Sequence, residues 1–170
     1  MPGIAQGLQM IPLQAADILL WRVDPSAGWI DRLVGWGESK IHQAGPSGYQ
    51  YYHVAFISAN PKNYYSSQPP KIDKFLCPDE WPANVEQWRL KMDLSGSQLN
   101  SIFEYAESRR GKLYPFLSVL SFGKVQLGGL EFCSQYTEDS FAHGQILLSP
   151  DCTFATPDDI SESNAIRRIA

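Results

Sequence analysis

The sequence predicts an α+β domain. Three observations carry that prediction. A short apolar run lies near the N-terminus, a central block alternates like β-strands between turn signals, and the clearest helix start and stop signals sit in the second half. The 170 residues suit one domain spanning 1–170.

The elements follow in chain order. Asp17 to Val23 is a continuous apolar run and reads as a buried strand. Asp24-Pro25-Ser26 breaks it. Trp29, Ile30, Leu33, Val34 and Gly37 then fall at helical spacing, and His42 to Gly48 reads as a loop. Tyr51 to Ser58 is β-rich, with His53, Ala55 and Ile57 on one face and Tyr52, Val54 and Phe56 on the other. Asn60 to Asn63 is a turn signal, so Tyr64 to Gln68 returns as the second arm of a hairpin. Pro69-Pro70 ends that arm, and Ile72 to Leu76 is a further short strand. Val85 to Met92 alternates, with Glu86, Trp88, Leu90 and Met92 on one face.

Gly96 to Arg110 is the best-marked helix. Ser95 and Gln98 have capping-box spacing, Leu94 and Leu99 can staple across the cap, and Gly111 stops it. A second helix runs from Phe132 to Ala142 and stops near Gly144. A last short helix starts at Thr156, with Pro157 at its first position and Asp158 and Asp159 at the positive end of its dipole.

Composition excludes several classes. Lys plus Arg total 14 against 18 Asp plus Glu, a net charge of −4 with no basic stripe for a nucleic acid. Hydrophobic content of 44% and charged content of 19% exclude disorder. No run approaches the roughly 20 apolar residues of a membrane span. The first residues lack the basic and apolar regions of a signal peptide, so a cytoplasmic protein is expected. Five Trp, eight Tyr and eight Phe make an aromatic surplus; core packing can absorb much of it, because aromatics carry large apolar area, and a groove is the other use expected for the rest. No phosphate loop, dinucleotide fingerprint or zinc-type Cys/His spacing is present, and no cofactor or metal is expected.

Cys77, Cys133 and Cys152 are three, an odd and sparse count that implies no disulfide framework. Cys133 alone stands where a helix begins, after Gly128-Gly129. Backbone N–H groups there favour a thiolate and would donate to an oxyanion. The competing reading of Cys133 is a small buried hydrophobe. A base must be a His. His143 lies on the same helix as Cys133, about 15 Å along it at 1.5 Å per residue, and His42 falls in the Gly-rich loop. His53 is held by a strand, as suits a catalytic base, although a core histidine also fits that position.

Several separated pieces together resemble one family. They are Ala16-Asp17-Ile18-Leu19-Leu20, Tyr52-His53-Val54-Ala55-Phe56, Gly111 to Phe116, Glu131-Phe132-Cys133-Ser134-Gln135 and Thr156-Pro157-Asp158-Asp159-Ile160. In this order they resemble the permuted NlpC-type, papain-like cysteine hydrolases, the YiiX-like and YebB-like group. The resemblance implies a permuted papain-like fold, a small antiparallel sheet or partial barrel packed on helices. It implies Cys133 as nucleophile, His53 as base and Tyr114 beside the substrate cleft. Ala16, Tyr52, Ala55 and Gln135 depart from the family's Gly, Ser, Gly and Glu. The family's third polar residue falls at Ser66, with Gln68 on the same strand face as the other candidate.

The expected activity is a cysteine peptidase or amidase cleaving an amide, with a peptide or acyl-amide substrate that could be peptidoglycan-derived. Two rival readings stay open: a non-catalytic ligand-binding module on the same fold, and a lipid acyltransferase or thiol esterase.

Overall fold

The computed structural model describes residues 11–23, 50–114, 131–149 and 155–170. The helix expected around Trp29 to Gly37, the loop at 42–48, His42 and Cys152 lie outside the described residues.

Within them the protein is α+β. Six strands form one sheet: β1 (Ile18–Arg22), β2 (Tyr51–Ile57), β3 (Asn63–Gln68), β4 (Lys71–Leu76), β5 (Val85–Leu90) and β6 (Ile166–Arg168). The order across the sheet is β4-β3-β2-β1-β5-β6, and every neighbouring pair is antiparallel. Three helices are described: α1 (Gly96–Arg109), α2 (Cys133–His143) and α3 (Pro157–Ser161).

Period-two alternation divides the sheet between two cores. Ile18, Leu20, Val54, Phe56, Tyr65 and Leu90 face the helices and pack with Ile102, Ala106, Cys133, Tyr136, Phe141 and Ile160. Leu19, Ile57 and Val85 face the other way, covered by Leu13, Trp21, Tyr64, Cys77 and Trp81. β1 is central and covered on both faces, which is why it reads as a continuous apolar run. Glu86, Trp88 and Leu90 share a face as the alternation of β5 requires. Met92 lies past the strand end and is exposed.

Local signals set the helix ends. Ser95 caps α1 through a complete capping box with Gln98, and Gly111, at φ 81°, follows its end. Thr156 caps α3 in the same way with Asp159. The two acids of α3 divide their work. Asp159 closes the box, while Asp158 accepts the backbone N–H of Gln50 and Tyr51 at 3.1–3.3 Å and so ties the start of β2 to α3.

One strand lies beyond the sequence reading. β6 pairs with β5, and the chain end then exchanges backbone hydrogen bonds with Gln87. Three residues with a single buried side chain are too short for a periodic signal.

Candidate active site

β2 and β3 pair only at Phe56–Tyr65 and Ile57–Tyr64. Beyond Phe56 and Tyr65 the ladder stops, while β3 stays paired to β4 as far as Gln68–Lys71. The two strands therefore part over Tyr51–Ala55 and Ser66–Gln68. His53 and Ser66 stand on the parted segments, and a side-chain hydrogen bond spans the gap: His53 Nε2 and Ser66 Oγ are 2.8 Å apart.

α2 straddles the same two strands. Near its C-terminal end Phe141 meets Phe56 edge to face at 5.4 Å between centroids, and Tyr136 lies 5.8 Å from the same ring. Its start is tied to the parted end, where Ser67 Oγ donates to the Glu131 carbonyl at 2.5 Å. The helix thus points its N-terminus toward the opening between β2 and β3. Cys133 is its first residue.

Cys133 is fully buried in the helix-side core. Phe132 occupies the cap position with extended backbone, and no side chain caps the helix start. A helix N-terminus is a place that favours an anion. The segment before Cys133 is anchored from α1. The buried Glu131 carboxylate pairs with Arg109 and accepts the Tyr105 hydroxyl at 2.9 Å.

His53 is half-buried. The bulge where β1 register shifts between Trp21 and Arg22 falls beside it. Trp21 is its register partner, and the two rings meet edge to face at 5.0 Å. Burial pulls the imidazole down to about 4, so it is neutral at neutral pH. The ring therefore rests on the Trp21 side of the sheet, while Cys133 sits in the core on the helix side.

The remaining sequence candidates are placed as follows. Ser66 is buried and meets the His53 ring. Gln68 ends β3 in register with Lys71, two residues beyond Ser66 on the same strand. Tyr114 is buried, donates its N–H to the Pro70 carbonyl at 2.9 Å, and meets Phe132 edge to face at 6.2 Å. It thus lies against the residue preceding Cys133. His143 is exposed and stacks on Tyr105 at 4.0 Å. Cys77 is half-buried among the Trp21-side residues.

Four residues escape the sequence reading. Ser67 and Glu131 hold the start of α2, Trp21 covers His53, and Asp17 anchors β1. Asp17 is buried and accepts from Gln87, Arg89 and the Gln14 N–H at 2.6–2.8 Å. Its position opening the first strand was the one available signal; its partners lie 70 and 72 residues away in sequence.

No family model matches the sequence, and no curated protein matches it. Among solved structures, the crystal structure of metalloprotein YiiX from Escherichia coli O157:H7 (DUF1105) is similar, at a TM-score of 0.63 and 13% identity. The similarity covers 94% of this chain and 98% of that one. The fold is YiiX-like. At that identity the likeness speaks to fold alone. Among the described residues no group of three or more His, Cys, Asp or Glu side chains could hold a metal ion, and no helix is long and apolar enough to cross a membrane.

Proposed function

We propose that the protein is a thiol hydrolase of the permuted NlpC-type, papain-like kind, cleaving an amide bond through an acyl-enzyme on Cys133. The observation that carries the reading is the pairing of His53 Nε2 with Ser66 Oγ at the parted end of β2 and β3, with Cys133 as the first residue of the helix whose start is tied to that end through Ser67. A nucleophile at a helix N-terminus and a base held by a third polar group are the parts that acyl transfer needs.

In this reading Nε2–H donates to Ser66 Oγ, which leaves the Nδ1 lone pair free as the base. The neutral imidazole favours a general-base step over a resting thiolate–imidazolium pair. Nδ1 takes the thiol proton as Sγ attacks the substrate carbonyl carbon. The N–H of Cys133 and one further donor hold the oxyanion. The imidazolium returns the proton to the leaving amine and a thioester remains. Water, deprotonated by His53, then releases the acid and restores the thiol. Peptide or acyl-amide substrates, including peptidoglycan-derived peptides, suit this chemistry, and Tyr114 borders the site through Phe132.

A second reading, a ligand-binding module without turnover, is favoured by one observation. The third position holds a hydroxyl rather than a carboxylate, so an imidazolium would be weakly stabilised.

Burst kinetics with p-nitrophenyl acetate separate the two. The hydrolase reading predicts a rapid release of p-nitrophenolate, close to one equivalent per chain. Cys133→Ala should abolish it, and Cys77→Ala should leave it intact. A full burst from folded Cys133→Ala would sink the nucleophile assignment.

A further inference from the structure

We infer that Trp21 is the positioning residue of His53: its indole, wedged by Trp81 and Tyr64, fixes the imidazole in the orientation that presents Nε2 to Ser66. This rests on reading His53 as the base.

Three observations carry it. Trp21 and His53 are direct partners across the β1–β2 ladder, so their side chains leave the same sheet face side by side. The rings meet edge to face, with centroids 5.0 Å apart and planes at 62°. Trp21 is itself held from two further directions, by Trp81 at 5.9 Å and Tyr64 at 6.3 Å, and those two rings meet each other at 5.6 Å. Trp21, backed by Trp81 and Tyr64, therefore limits the imidazole on its β1 side. Ser66 Oγ at 2.8 Å limits it on the other. An imidazole attached to a strand beside parted hydrogen bonds would otherwise choose among rotamers, because the neighbouring β3 backbone no longer crowds it.

The same wall covers part of the ring, and burial is the cause of its depressed basicity. The ionisable groups on the surrounding elements are otherwise engaged, including Asp73 on β4, the register partner of Ser66, which pairs with Lys71 and Arg110, and Cys77, which donates to the Pro61 carbonyl. Arg22 on β1 pairs with Glu86 on β5 at 3.4 Å, and Asp158 on α3 holds the Gln50 and Tyr51 N–H groups. Tyr64 on β3 packs among the aromatics, and Cys133 on α2 lies in the helix-side core. Indole packing, not a neighbouring charge, thus governs the proton affinity of the base.

The test is an NMR titration of the intact chain with 15N-labelled histidine, the His53 signals assigned by their loss in His53→Gln. The wild-type midpoint is expected near 4, with the Nε2–H tautomer above it. Trp21→Leu is expected to carry the midpoint toward 6.5 and to mix the tautomers. Trp81→Leu removes a ring that supports Trp21, and is expected to move the midpoint in the same direction by less. It serves if Trp21→Leu does not fold. A midpoint and tautomer unchanged in every folded variant would overturn the inference. The reading of His53 as base fails separately: His53→Gln would then release p-nitrophenolate as the wild type does, while a moved midpoint would still uphold Trp21 as the residue that holds the ring.

Discussion

Ala16 adopts φ 66°, the left-handed region in which a Cβ crowds the following carbonyl. Its N–H is committed to the Ile57 carbonyl at 2.9 Å, so the turn into β1 cannot relax without losing a sheet bond. Ala16→Gly is expected to stabilise the fold by about 1 kcal/mol, less than the full left-handed penalty because glycine loses more freedom on folding. A chain of this size should melt about 3 °C higher, readable by calorimetry. Next to it, Asp17→Asn should cost about 3 kcal/mol, because the partly buried Arg89 guanidinium would lose its counter-charge and an NH2 would replace one of the two acceptor oxygens that face Arg89, Gln87 and the Gln14 N–H. Urea unfolding measures that loss. At the site, Ser66→Ala removes one hydrogen bond to the base, worth about 1 kcal/mol. The expected result is about a fivefold fall in kcat/KM for p-nitrophenyl acetate with the fold unchanged.

At the scale of elements, the helix ends were readable because their determinants are local. Ser95 and Gln98, or Thr156 and Asp159, meet within one turn, and both boxes form as their spacing requires. Three features were not readable, because each depends on contacts remote in sequence. β6 exists through its pairing with β5 and the chain end. Asp17 is explained by Gln87 and Arg89. The parting of β2 from β3 comes from tertiary packing and leaves no mark on the alternation of either strand. Gly144 shows the same limit. Its position after α2 marked it as a helix stop, yet its φ of −82° is open to any residue. What excludes a side chain is α1, since a Cβ there would lie 2.7 Å from Ile102 Cγ1 and 3.1 Å from the Gln98 carbonyl oxygen. Gly144→Ala is expected to destabilise by about 2 kcal/mol through overpacking of the α1–α2 contact, readable in the urea midpoint.

At the scale of the molecule, two half-buried groups oppose each other in mild acid. His53 titrates near 4 when folded and near 6.5 when unfolded, so stability falls as pH drops through that window. Burial raises Asp158 to about 6 from 3.8, so the folded state holds its proton more tightly and stability rises as pH drops from 6 to 3.8. The two slopes nearly cancel between pH 4 and 6. Asp158→Asn keeps an acceptor for the Gln50 and Tyr51 N–H groups but removes one slope. It should therefore lose stability toward pH 4 more steeply than the wild type does, by urea denaturation at a series of pH values. The α+β class and the order of most elements were legible from alternation and turn signals, while Ser66 as the polar partner of His53 was implied only by the family resemblance. The sheet's two cores, and the placement of His53 and Cys133 on different sides of it, required the three-dimensional packing.

The central claim is that Cys133 carries the acyl group. The most direct measurement is peptide mapping by mass spectrometry after a millisecond acid quench of the p-nitrophenyl acetate reaction. The hydrolase reading predicts an acetyl thioester on the peptide containing Cys133, strongly diminished in His53→Ala. An acetyl group found on a different residue, with the Cys133 peptide unmodified throughout the burst, would contradict it.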